Sequence, residues 1–155
     1  MEIRLACEKD IPRLLTLLAQ IAQIHAEGRP DLFHGETKFN YEDIKQMLAD
    51  PNKPIYVAVE AGCALGYAMC VYKEYRNHPT LRDRRVMYID DLCVDEACRG
   101  QGIGKALYDF IYQLAQETKC VNVELNVWAL NSSAMRFYEK CGMKPQRIIM
   151  ESEKL

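Results

Sequence analysis

Between residues 86 and 117 an apolar run, a glycine-rich turn and an amphipathic stretch follow one another directly. Val86 to Val94 reads as a strand and Arg99-Gly100-Gln101-Gly102-Ile103-Gly104 as the turn. Beyond the turn, apolar residues recur at helical spacing for about 15 residues, a common helix length. A strand that runs through glycines into a helix aims several backbone N–H groups and the positive end of a helix dipole at one point. Such a point is an anion site, and a pyrophosphate is its natural occupant. A Walker A loop requires G-x-x-x-x-G-K-[ST], but here Lys105 follows Gly104 and Ala106 stands where the metal-binding hydroxyl belongs. A dinucleotide fingerprint requires G-x-G-x-x-G in the first βα unit of a doubly wound domain. This turn is G-x-G-x-G and comes late in a short chain.

A third pattern, Arg/Gln-x-x-Gly-x-Gly/Ala, is met by Arg99 to Gly104. Alone, a glycine turn joining strand to helix explains it equally well. The flanks decide between them. Upstream stands Tyr88-Ile89-Asp90-Asp91-Leu92-Cys93-Val94-Asp95. Downstream stands Asn131-Ser132-Ser133-Ala134-Met135-Arg136-Phe137-Tyr138-Glu139-Lys140-Cys141-Gly142-Met143, which looks like N-x-x-A-x-x-F/L-Y-x-x-x-G-F. In that order and rough spacing, the three stretches resemble the GNAT superfamily of N-acetyltransferases, which bind acetyl-CoA. The specific likeness runs from Val86 to Met143, and the first 85 residues match in layout alone.

A chain of 155 residues suits one domain with a real core. Its formal net charge of −2 argues against nucleic acid as the main partner, because phosphate backbones call for a basic surface. Arg82, Arg84 and Arg85 read as a solvated loop. The seven cysteines are odd in number and show neither a C-x-x-C pair nor zinc-ligand spacing. Cys63, Cys70, Cys93 and Cys120 fall in apolar runs, where the thiol acts as a small hydrophobe, so reduced thiols and a cytoplasmic location are expected. Cys93 or Cys98 could serve as a nucleophile, although no histidine lies close in sequence to activate either. No leader pattern and no membrane-length apolar run is present.

The element pattern begins with a strand over Met1 to Ala6, then a helix opened by Asp10 and Pro12 with an apolar stripe at Ile11, Leu14, Leu15, Leu18 and Ala22. His25 to Phe39 reads as a loop segment, Tyr41 to Leu48 as a helix, and Ile55 to Glu60 with Leu65 to Tyr72 as a hairpin about Ala61-Gly62. After the helix beyond the glycines, Val121 to Trp128 reads as a strand, Ser132 to Cys141 as a helix and Arg147 to Glu153 as a last strand. These elements make an α/β domain with a mixed sheet and helices on both faces. The resemblance implies that the sheet is mostly antiparallel, the acyl-CoA N-acyltransferase fold, with residues 1–155 as a single N-acetyltransferase domain.

An alkylamine acceptor is mostly protonated, with a pKa near ~10.4 by analogy with lysine, so the site needs a proton acceptor. Asp90 and Asp91 are the carboxylates beside the turn. Strand alternation sets Tyr88, Asp90 and Leu92 on one face and Ile89, Asp91 and Cys93 on the other, so one of the pair faces the cleft. The resemblance tilts the choice to Asp90 and leaves Asp91 a structural role. It also implies that pantetheine pairs with the main chain of Leu92, Cys93 and Val94. The pyrophosphate then sits on the amides of Arg99, Gly100, Gln101, Gly102, Ile103, Gly104 and Lys105, with no metal. Tyr138 would protonate the leaving thiolate, while Asn131 caps its helix and contacts CoA. His25 and Arg29 fall where acceptor-binding loops fall in that family. Where some members carry a base on the fifth strand, this chain has Asn126, which cannot act as one; Glu124 is the fallback. The implied activity is direct acetyl transfer from acetyl-CoA to a primary amine, on a small molecule or a protein, with no nucleic acid or membrane partner. A homodimer is compatible with the sequence. The alternative is a CoA-binding regulatory module without turnover, against which Tyr138 and the aspartate pair argue.

Overall fold

In the strand Ile55–Glu60 (β2), Val57 and Val59 face one way and Tyr56 and Ala58 the other, and all four are buried. A strand buried on both faces needs cover on both. The computed structural model describes residues 1–154 and shows that cover. One face of the sheet packs on the helices Ile11–Gly28 (α1) and Tyr41–Leu48 (α2), the other on Ile103–Glu117 (α3). The remaining strands are Glu2–Leu5 (β1), Cys63–Tyr75 (β3), Arg84–Val94 (β4) and Asn122–Leu125 (β5), and a last helix spans Ser132–Lys140 (α4). The sheet order is β1-β2-β3-β4-β5, antiparallel throughout except for the parallel pair β4–β5.

Each helix buries the face its spacing foretells. Ile11, Leu14, Leu18 and Ala22 of α1 are buried as expected, joined by Leu17, while Leu15 stays at the margin. Arg4 forks onto both oxygens of Asp10 at 2.8 and 3.0 Å, and Asp10 also accepts the Cys7 N–H, which ties β1 to the start of α1. Asn40 and Asp43 cap the start of α2 reciprocally. On the opposite face Ile103, Leu107 and Ile111 of α3 are fully covered, with Phe110 and Leu114 packed at the edge.

Three expectations change. The first helix continues through Gly28, so His25 lies in its last turn rather than in a loop. The fifth strand stops at Leu125 instead of Trp128, because β4 offers it partners only as far as Ile89. Residues 147–153 form no strand. Ile148, Ile149 and Met150 are consecutive apolar residues with no two-faced alternation, and all three are exposed. That segment is held by side chains, through Gln146 on Glu124 and Arg29 on Glu151.

Candidate active site

The β3–β4 ladder slips by one residue in the middle of β4. Met69 pairs with Asp91 and Cys70 with Ile89, which leaves Asp90 opposite nothing. A bulge of this kind re-aims side chains. Ile89 and Met87 point to the α3 face, whereas Cys93 points to the α1 face. Asp91 accepts a hydrogen bond from Tyr67, itself in the α1 core, and Asp90 accepts one from Lys38 while bordering Phe39 and Met47. Both carboxylates therefore lie on the α1–α2 face. The expectation of opposite faces is corrected, and the extra residue at Asp90 is the physical reason.

The two acids have unlike surroundings. Asp90 is paired with the Lys38 ammonium at 2.7 Å, and 19% of its side chain stays exposed. Asp91 has no ion pair among the described residues and takes the Tyr67 hydroxyl at 3.1 Å. Burial pushes Asp91 up to about 6, against the Tyr67 hydrogen bond and the Lys38 charge that pull it down, and the charge of Asp90 adds to the rise. Asp90 is thus the ion-paired member of the pair and Asp91 the desolvated one. A cleft of about 520 Å³ opens beside Asp90, lined by Lys38, Phe39, Met47 and Val71 and by the charged Asp43, Asp50 and Lys53; Asp91 does not line it. A second, charged cleft of about 330 Å³ lies around Arg76, Arg84 and Arg85 and holds none of the candidate residues.

Where the bulge begins, β5 lets go. The parallel ladder ends at Ile89 opposite Leu125, so from Asp90 to Val94 one edge of β4 has no strand partner, though the Val94 carbonyl there is already taken by Arg99. Past this edge comes the glycine turn. Gly100 and Gly102 have φ of +78° and +81°, and both face open space. Among the described residues, no amide from Arg99 to Lys105 donates to a backbone carbonyl of the turn; the first to do so is Ala106, on the Gly102 carbonyl. A row of unsatisfied donors at a helix start fits a pyrophosphate in chemistry and in room. The Lys105 ammonium pairs with Asp109 one turn on, and the Arg99 side chain donates to the Val94 carbonyl.

Tyr138 approaches from the other face. It packs in the α3–α4 core against Phe137, ring centres 5.0 Å apart, and Phe137 rests on Gly104. Burial, then the nearby Asp91 charge, raises the Tyr138 phenol well above its ordinary range, so it stays protonated near neutrality. The Asp91 charge is close enough to act on the Tyr138 phenol. Asn131 caps α4 by accepting the Ala134 N–H at 3.0 Å, and its amide NH₂ has no hydrogen-bond partner among the described residues. Cys93 is buried, with its thiol on the Leu17 carbonyl and pushed up to about 12 by burial, which removes it as a nucleophile. Glu124 sits inside the ladder opposite Tyr88, held by Asn122 and Gln146, and Asn126 lies just beyond the strand. Among the described residues no cluster of three or more His, Cys, Asp or Glu is placed to hold a metal.

His25 and Arg29 gather at the end of α1. His25 stacks on Phe33, which meets Trp128 edge-on, both at 5.0 Å, and burial lowers the imidazole pKa. Arg29 is clasped by Asp31 and Glu151. No hydrogen bond or ion pair joins either residue to Asp90, Asp91 or Tyr138 among the described residues. Sequence reasoning passed over Lys38 and Tyr67. Lys38 lies in a loop without periodicity, and Tyr67 reaches Asp91 only through the slipped register.

The model of the acetyltransferase (GNAT) family matches residues 18–143. The chain is 29% identical over 150 residues to a thialysine N-epsilon-acetyltransferase of Bos taurus, covering 90% of this chain and 82% of that protein. It is 29% identical over 128 residues to a spermine/spermidine N(1)-acetyltransferase of Bacillus subtilis, covering 81% and 80%. Among solved structures, the tetramutant of the BH1408 protein from Bacillus halodurans superposes with a TM-score of 0.95 at 29% identity, over 99% of this chain and all of that one.

Proposed function

The chain belongs to the acetyltransferase (GNAT) family and is an acetyl-CoA-dependent N-acetyltransferase, and from that premise we propose that it acts on a primary alkylamine drawn in as its ammonium by Asp90 and Asp91. The observation that carries this reading is the bulge that turns both carboxylates to one face at the open end of β4. Two relatives whose names specify alkylamine acceptors support the substrate class. The seven free cysteines fit a reducing cytoplasm, and residues 1–155 serve as one N-acetyltransferase domain.

Each residue has a task in this reading. The amides of Arg99 to Lys105 hold the pyrophosphate, the open main chain of Leu92 to Val94 pairs with pantetheine, and the Asn131 amide adds a donor. Acetyl-CoA supplies an activated thioester. Asp91 takes the proton from the ammonium; its burial and its neutral hydrogen-bond partner Tyr67 support it over Asp90, whose charge is already matched by Lys38. Tyr138, protonated by virtue of its burial, gives a proton to the departing sulfur. His25, Phe33 and Trp128 form an apolar rim for the acceptor's carbon chain, and Arg29 holds the segment around Glu151 in place beside it. A mass-spectrometric search for acetylated product over alkylamines, amino acids and peptides tests the reading. Product is expected from alkylamines with a free primary ammonium. Product from peptide amino termini alone would overturn the substrate class.

A further inference from the structure

Lys38 stands against Asp90, one of the two acids to which the proposed function assigns the acceptor's ammonium. Its side chain is half exposed, on the segment between α1 and α2, and its ammonium reaches back 2.7 Å to Asp90 Oδ2. The same ammonium is close enough to Asp91 to lower that group's pKa. A primary amine on a four-carbon stem, held as a cation by Asp90 next to Asp91 and beside the open edge of β4, belongs to the proposed acceptor class and is tethered to the protein.

We propose that Lys38 is an internal acceptor: without a free amine, the protein acetylates its own Lys38. This rests on the placement of the aspartate pair at the acetyl-transfer site. The step is ordinary transfer. Asp91 takes one proton from the Lys38 ammonium. The neutral Nζ attacks the thioester carbonyl, a C–N bond forms as the C–S bond breaks, the CoA sulfur leaves with a proton from Tyr138, and the second proton shed by the new amide nitrogen restores the Tyr138 phenol. No oxidant or further reactant is needed. The product amide carries no charge, so acetylation dissolves the Lys38–Asp90 pair and leaves Asp90 free for the cation of an incoming amine. A tethered amine has the high effective concentration of an intramolecular reaction, which makes Lys38 the first lysine to react.

The test is incubation of the full chain with acetyl-CoA alone, tracked over time by intact mass and peptide mapping. Lys38 is expected to gain one acetyl group at least ~tenfold faster than any other lysine, at a first-order rate independent of protein concentration. Lys38→Arg should abolish that product, Asp91→Asn should slow it at least ~tenfold, and an excess of alkylamine should suppress it by competing for the same place. Acetyl groups spread evenly over the lysines, a rate that rises with protein concentration, or a rate untouched by Asp91→Asn would each overturn the proposal. If Lys38→Arg and the parent chain both acetylate a free alkylamine while Lys38 stays unmodified, the internal acceptor is wrong and the acceptor class stands. If neither an alkylamine nor Lys38 receives acetyl, both fail.

Discussion

From Val86 to Ile89, β4 is paired on both sides, with β3 and with β5; from Asp90 to Val94 it keeps β3 alone. The paired half carries Val86, Met87 and Ile89, all buried in the core. The half-open stretch carries two carboxylates and a free main-chain edge, and leads into the glycine turn. One inserted residue separates the halves. The bulge falls where the ladder to β5 stops, turns Asp91 to the same face as Asp90 and coincides with a raised carboxyl pKa. The first half contributes stability, and the second gives some of it up to hold an unpaired, desolvated acid, a trade typical of functional sites.

Substitutions in the two halves should therefore have opposite signatures. The largest effect is expected for Asp91→Asn, which should lower kcat/KM at neutral pH by about 10²- to 10⁴-fold through loss of the proton acceptor. The same change should raise stability. Asp91 titrates near 6 in the folded chain, above its unfolded value, so its contribution is fully present below pH ~4 and is lost as pH rises through about 6. At pH 7 the neutral amide should regain up to about 3 kcal/mol, measurable by urea unfolding. Loss of both activity and stability would place Asp91 with the structural half. Met87→Ala, one ladder step from the bulge on the paired side, should do the reverse. Removing this fully buried side chain should cost about 2–5 kcal/mol in the same unfolding experiment and leave the kcat of the folded fraction near that of the parent.

Smaller effects sharpen the boundary. Tyr138→Phe keeps the packing against Phe137 and should lower kcat about 10²-fold with little change in acetyl-CoA affinity, as steady-state kinetics and calorimetry can separate. Parent-level kcat would make the hydroxyl structural. Gly102→Ala should weaken acetyl-CoA binding by about tenfold or less, since a Cβ at φ +81° costs roughly 1–2 kcal/mol and shifts the amides, although the space there is open. Unchanged affinity by calorimetry would move the pyrophosphate off this turn.

The elements around the motif were legible because their patterns are periodic. The Ile103–Leu107–Ile111 stripe and the Ile11–Leu14–Leu18–Ala22 stripe sit on the faces their spacing requires. The open edge of β4 and the free amides could be inferred from the glycine turn and the resemblance together. The bulge was not legible. A register slip depends on how β3 and β4 accommodate each other, and nothing in Tyr88-Ile89-Asp90-Asp91 marks which residue is extra. Strict alternation therefore misassigned the faces of the pair. Lys38 and Tyr67 escaped for the same reason, being brought to the acids by tertiary packing, 52 and 24 residues away along the chain. The expected last strand failed because an apolar run predicts burial, but only a backbone partner makes a strand.

The assignment of Asp91 rather than Asp90 as proton acceptor is tested most directly by pH–rate profiles. The parent chain, Asp90→Asn and Asp91→Asn would be compared with a single alkylamine. The parent should lose kcat/KM on an acidic limb centred near pH 6, where Asp91 takes up its proton. Asp90→Asn should keep that limb and move it to lower pH, because a like charge beside Asp91 is gone. Asp91→Asn should abolish the limb. An acidic limb that survives Asp91→Asn and disappears with Asp90→Asn would contradict the account.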